Sequence, residues 1–307
     1  MHPFRFGVMS SSDQSGEAWV AFARRVEELG YSTLLVTDHL GRQLSPIAAL
    51  AAAATATTGL RLGTYVLAND YRHPLMMARE AATLDLLSGG RFELGIGAGW
   101  KVEDYRMLGL PYDPPPRRVD RLTEALPLVA RLLAGETIDH EGPHYRLGGT
   151  AVFPRPVQQP RPPILVGAGG PRMLRLAARE ADIVAMQPQF DPRGRPMIRQ
   201  ATEGATAAKV AILRKAAGPR FEHLELNVIV ADAGLVGHGR PARESLITAG
   251  KSVATGLIGT PYVLYGTLGG LRDRLLRRRD RLGISYYALP RHSMEAMAPL
   301  VAELAGR

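Results

Sequence analysis

Short β-favouring runs alternate with longer amphipathic runs from one end of this 307-residue chain to the other, and no other feature constrains its fold as tightly. A chain that inserts a helix between successive strands builds a parallel sheet with helices packed on it. Strands are expected over residues 4–9, 33–37, 60–66, 91–96, 164–166, 182–186, 224–231 and 284–289. Helices are expected over residues 17–29, 46–57, 74–87, 117–133, 171–180, 202–216, 268–282 and 293–304. Gly30 supplies a stop for the first helix, and the second opens on Pro46 at a permitted first-turn position. Residues 138–153 read as an inserted hairpin turning at Glu141 and Gly142, followed by a proline-rich connector. Eight strands in this rhythm predict an α/β fold, a (β/α)8 TIM barrel with loop insertions, forming one domain over residues 1–307. A doubly wound open sheet is the alternative, because the fifth strand is so short.

Composition narrows the chemistry. Hydrophobic content of 46% and charged content of 22% match an ordinary globular protein with a sizeable core. The first residues lead directly into a strand-like run, and the longest apolar stretch, residues 48–54, is too short to span a bilayer, so a cytoplasmic location and no membrane partner are expected. The absence of cysteine excludes disulfides, thiolate nucleophiles, iron–sulfur clusters and the usual structural zinc sites, and no metal site is expected. A formal charge of +9 comes from 34 arginines and only four lysines, which says more about solubility than about a partner. The densest cluster, Arg272, Arg274, Arg277, Arg278, Arg279 and Arg281, reads as a solvated helix face. No aromatic residues interleave with it as a nucleic-acid platform requires, so no nucleic-acid partner is expected.

Thr37-Asp38-His39 follows the apolar run of the second strand, placing a carboxylate and an imidazole where barrel enzymes put their chemistry. An imidazole trades protons near neutral pH, and an adjacent acid can fix its tautomer or position. A polar residue satisfied at a strand end is the competing reading of His39. Two glycine clusters also stand at strand ends, Gly95-Ile96-Gly97-Ala98-Gly99 and Gly167-Ala168-Gly169-Gly170. Neither fits the dinucleotide fingerprint or is followed by a P-loop lysine. The second lies between a strand and a helix opening on Pro171, where free amides and the helix dipole converge on a phosphate-sized space. A tight βα turn is the alternative there.

Phe6-Gly7, Asp38-His39, Leu62-Gly63-Thr64, the two glycine clusters and the closing run from Arg281 to Tyr287 together resemble the bacterial luciferase-like superfamily, nearly end to end. The chain is most similar to the branch using the deazaflavin coenzyme F420, the other branch using FMN. That resemblance implies a barrel with the ring across its C-terminal mouth, and usually a homodimer. Asp38 would contact the deazaflavin and His39 would stand beside its reactive C5. Tyr65 and Val66 would form a bulge with a non-proline cis peptide, Ala98 and Gly99 would border the ring, and Met186 or Gln187 would close the far wall. Gly167, Ala168, Gly169 and Gly170 would hold the phosphate, with Arg72 and His73 near enough to help with the anionic tail. Met9, Tyr71 and Trp100 are expected in the substrate pocket. Asp13 matches an acidic position of the sugar-phosphate dehydrogenases in this branch, an exposed loop aspartate being its other reading. Trp100 stands where those dehydrogenases carry a glutamate, which argues against sugar-phosphate oxidation and toward an apolar or conjugated substrate. The expected activity is hydride transfer between C5 and a small organic substrate with His39 as acid or base. An FMN-dependent monooxygenase using oxygen and a partner reductase, and a non-catalytic coenzyme-binding protein, are the alternatives.

Overall fold

Eight parallel strands close on themselves in the computed structural model, which describes residues 1–189, 197–235 and 259–307. They are β1 (Arg5–Ser10), β2 (Thr33–Val36), β3 (Arg61–Thr64), β4 (Phe92–Gly97), β5 (Ile164–Ala168), β6 (Ile183–Met186), β7 (Glu225–Ile229) and β8 (Ile284–Pro290). Each strand pairs with the next, and β8 pairs with β1 to complete the ring. An open doubly wound sheet would leave two unpaired edges, so the closure rules that alternative out. The fold is a TIM barrel.

Period-two alternation sorts the strand side chains into two layers. Leu35, Leu165, Ile183, Ala185, Tyr286 and Ala288 form the barrel interior. Leu34, Val36, Val166, Val184 and Tyr287 instead join the larger core between strands and helices. Because both faces are covered, β2, β4 and β6 are buried throughout their length.

Charged side chains fill the N-terminal end of the barrel. Arg5 Nη1 lies 2.6 Å from Glu225 Oε2, Arg5 also pairs with Glu93, and Arg61 Nε reaches the same Glu93 oxygen at 2.5 Å. The Arg5 guanidinium stacks 4.3 Å from the centroid of the Tyr286 ring. Burial resists ionisation of Glu93, but Arg5 and Arg61 overcome it and hold its carboxyl below the ordinary glutamate range. Burial lifts the Glu225 carboxyl above that range, with Arg5 opposing and Glu93 reinforcing the shift.

Three local features differ from expectation. Helix Val102–Leu108 follows β4, and a second parallel pair joins Asp232–Leu235 to Val263–Gly266. The arginines of helix Leu268–Leu282 do not form a merely solvated face. Arg278 is buried and donates to the Gly259 carbonyl at 2.6 Å, while Arg272 pairs with Glu303 and Arg281 with Glu203, both at 3.0 Å. Long guanidinium side chains reach back onto neighbouring elements, which a cluster count does not reveal.

Replacing Arg5 by Met leaves Glu225 buried without its cation, a change expected to cost about 3–5 kcal/mol in urea denaturation near neutral pH. A carboxyl whose pKa is raised by folding favours the native state below its unfolded pKa and loses that contribution as pH rises through the folded value. The deficit of Arg5→Met is therefore expected to shrink on acidification, as the raised Glu225 carboxyl takes up a proton.

Candidate active site

Residues leaving the C-terminal ends of β2 through β7 converge on a cavity of about 250 Å³. His39 lines it, three residues beyond Val36, the last residue of β2. Its Nδ1 lies 2.7 Å from Asp104 Oδ2. Asp104 sits in the first turn of helix Val102–Leu108, is buried, and also accepts from the Leu40 amide at 3.3 Å. Lys101 Nζ approaches its other oxygen at 3.7 Å. A carboxylate at Nδ1 favours the tautomer that carries its proton there, leaving Nε2 as the atom able to exchange a proton with a ligand. Trp100 meets the His39 ring edge to face, with centroids 5.6 Å apart.

The acid beside His39 in sequence does something else. Asp38 is buried, accepts from the Ala68 amide at 2.9 Å, and holds Arg72 through both oxygens at 2.6 and 2.9 Å. This bidentate pair ties the end of β2 to the chain leaving β3. The neighbouring residue in sequence thus clamps the scaffold, and the partner that orients His39 comes from 65 positions away. Asp104 was not foreseen, since nothing local distinguishes a first-turn helix aspartate from a dipole-favoured surface residue.

The bulge after β3 shapes the cavity floor. The Tyr65–Val66 peptide is cis, and the chain rejoins β4 through Leu67 and Ala68. Tyr65 and Val66 both line the cavity. Tyr65 donates to Asn227 Oδ1 at 2.6 Å inside the barrel. Val66 is flanked by Gly97 and Gly167, where an added Cβ would lie 2.8 and 3.4 Å from its methyl groups. Two glycines beside one branched side chain leave a broad apolar floor. Ala98, Gly99, Tyr71 and Gln187 complete the walls. At Gly99, φ is +74° and a Cβ would meet the Tyr105 hydroxyl at 2.2 Å, so only glycine fits.

Gly167 and Gly169 line the cavity, whereas Ala168 is fully buried toward the helices. Among the described residues, the amides of Gly169 and Gly170 donate to no protein group. They precede helix Pro171–Glu180, whose first turn leaves further N–H groups without intrahelical partners. Lys209 secures the opposite side: its buried Nζ donates to the carbonyls of Gln187 at 3.0 Å and Gln200 at 2.8 Å. Burial pushes its pKa down to about 8.

Several expected site residues fall elsewhere. Ala168 and Met186 point outward, because alternation from Gly167 and from Ala185 turns them to the helix layer. Asp13 does not line the cavity; it pairs with Arg42 at 2.8 Å in an exposed setting. Met9 packs against the barrel interior and lines a second cavity instead. Arg72 is committed to Asp38, and His73 caps helix Pro74–Leu87 by accepting from the Leu75 amide at 3.2 Å. Met173, Thr37 and Ile229 line the site and were not expected there.

The luciferase-like monooxygenase family matches residues 1–230. An F420-dependent glucose-6-phosphate dehydrogenase of Microbacterium testaceum is 35% identical over 189 residues, 59% of this chain and 55% of that protein. The chain thus spans about half the length of the curated relatives it matches. The F420-dependent tetrahydromethanopterin reductase of Methanopyrus kandleri superposes with a TM-score of 0.78 at 18% identity, covering 98% of this chain and 99% of that one. A long-chain alkane monooxygenase superposes with a TM-score of 0.80 at 15% identity, covering 99% and 91%. At such identities the likeness is one of fold. The family match over three quarters of the residues adds descent to that likeness, and the chain belongs to the luciferase-like monooxygenase family.

Proposed function

We propose that this chain is a coenzyme F420-dependent oxidoreductase acting on a small organic molecule, with His39 as its proton carrier. The observation that carries this reading is the His39–Asp104 pair, 2.7 Å apart, on a cavity lined by Gly169, whose amide, like that of the adjoining Gly170, donates to no protein group among the described residues. Relatives named as F420-dependent dehydrogenases support the choice of coenzyme. The site suits a planar ring with an anionic extension: a glycine-flanked floor at Val66 for the ring, and the amides before Pro171 for a phosphate. A bound deazaflavin would supply a carbon that accepts or donates hydride.

The chain's own residues handle the rest. In oxidation, His39 Nε2 takes the substrate's hydroxyl proton; in reduction it returns one to the forming alkoxide or its equivalent. Asp104 stabilises the imidazolium that results and keeps the ring in place. Trp100 and Tyr71 wall the reacting space without carrying protons at neutral pH, and burial raises the Tyr71 pKa above its ordinary value. Asp38 belongs to the support of this site, since both its oxygens are already engaged. A homodimer, as the family resemblance implies, belongs to the same reading.

Titrating the protein with F420 and with FMN, and following the quenching of intrinsic fluorescence, is expected to show tight binding of F420 alone; preference for FMN would replace this reading with that of a flavin monooxygenase. His39→Ala is expected to lower kcat by about two to four orders of magnitude, with F420 affinity retained. Asp104→Asn should lose about one to two orders in kcat by the same measurement. Asp38→Asn is expected to act on stability instead, lowering it by about 3 kcal/mol because Arg72 loses its buried counter-charge; an undiminished urea midpoint would contradict the clamp.

A further inference from the structure

The C-terminal rim holds a second cavity, between the ends of β1 and β8, that shares Thr37 and Ile229 with the site of His39. Its ionisable lining residues are Arg25, Arg291 and His292, and no carboxylate lines it among the described residues. Two of the three are already matched. Arg25 pairs with Glu295 at 2.8 Å and Glu28 at 3.3 Å, and His292 Nε2 lies 2.9 Å from Asp232 Oδ1. Arg291 has no ion-pair partner among the described residues. One of its five N–H groups donates to Ser12 Oγ at 2.8 Å, and its guanidinium stacks 4.1 Å from the centroid of the Phe22 ring.

A stacked guanidinium with unused in-plane donors is built to receive a planar or tetrahedral oxyanion through two parallel hydrogen bonds. Ser12 and Ser10, whose hydroxyls lie 3.4 Å apart, stand next to it and can add donors to the same group. Burial lowers the Arg291 pKa, so its charge is partly desolvated and a bound anion would relieve that cost. Met9, Ile229 and Met294 supply apolar surface for a carbon skeleton running toward Thr37 and the first cavity.

We propose that Arg291, with Ser12, forms an oxyanion subsite that selects substrates carrying a carboxylate or phosphate, holding the charged end beside β1 and β8 while the reacting carbon lies near His39. This rests on the reading of the rim as an oxidoreductase site, and it adds the substrate's chemical class. No residue of the Gly169–Gly170 loop takes part, so the two anion sites are separate. Arg291 is a specificity residue and carries no proton in the reaction.

The test compares wild type, Arg291→Gln and Arg291→Lys by isothermal titration with sodium acetate and, separately, inorganic phosphate, at ionic strength balanced with sodium chloride. One of the two anions is expected to bind wild type at least tenfold more tightly than Arg291→Gln, with Arg291→Lys intermediate; which one responds tells carboxylate from phosphate. Equal binding to wild type and Arg291→Gln, or none beyond chloride, overturns the subsite. Steady-state kinetics on matched alcohols with and without a carboxylate should show a loss of about tenfold or more in kcat/KM for Arg291→Gln with the charged member, borne mainly by KM, and a smaller loss with the neutral one. Equal losses also overturn it. F420 binding, followed by fluorescence in all three proteins, tests the reading of the first cavity alone: anion selectivity without coenzyme binding would sink that reading and leave the subsite standing.

Discussion

The seam between β3 and β4 is held by a side chain where the ladder gives out. The two strands share register only at Leu62 with Phe92 and Gly63 with Glu93. Beyond that, Thr64 Oγ1 both accepts from the Gly95 amide and donates to the Gly95 carbonyl, each at 2.8 Å. The hydroxyl replaces a strand neighbour and lets the chain bulge at Tyr65 and Val66 before it rejoins β4. Gly95 is the condition for this, since a Cβ there would lie 1.9 Å from the Thr64 carbonyl oxygen. Everything distinctive in the mouth follows from the bulge: Tyr65 turned to Asn227, Val66 laid as the floor, and the Ala68 amide presented to Asp38.

The two ends of the barrel use their charged side chains differently. At the N-terminal end, Arg5, Arg61, Glu93 and Glu225 satisfy one another in place of water. Buried ion pairs of this kind contribute little net stability over apolar packing, but a single missing partner is severely penalised. At the C-terminal end, the carboxylate adjacent to His39 is spent on Arg72, and a distant one, Asp104, addresses the imidazole. With Asp38 held by Arg72 and Ala68, the orientation of the imidazole is left to Asp104.

Alternation of short and long apolar runs made the barrel legible, because a parallel strand buried on both faces and an amphipathic helix carry different periods. The same period-two rule, applied inside β5 and β6, would have kept Gly167 and Gln187 at the cavity and sent Ala168 and Met186 to the helices. Asp104 was beyond such rules, for its contact with His39 is set by how helix Val102–Leu108 folds back across the rim. Asp13 illustrates the converse: position along the chain placed it after β1, yet the turn there sends it outward to Arg42. Strand ends locate a site; long-range packing chooses which of its side chains face inward.

Many of the arginines behind the formal charge of +9 are engaged by the protein itself. A guanidinium offers five donors in a fixed plane, so it can satisfy carbonyls and carboxylates of the protein itself. Arg118 donates to the carbonyls of Gly99 and Asp113 behind the cavity wall, and Arg121 joins Asp70 to Asp113 beside it. Arg91 reaches the carbonyls of Ala54, Leu60 and Ser88, and Arg278 that of Gly259. Each of these cations works as a strut, and the nominal excess of positive charge is dispersed through the scaffold. Against that pattern, an arginine on the rim with four donors unused among the described residues marks a position where the missing acceptor comes from outside the chain.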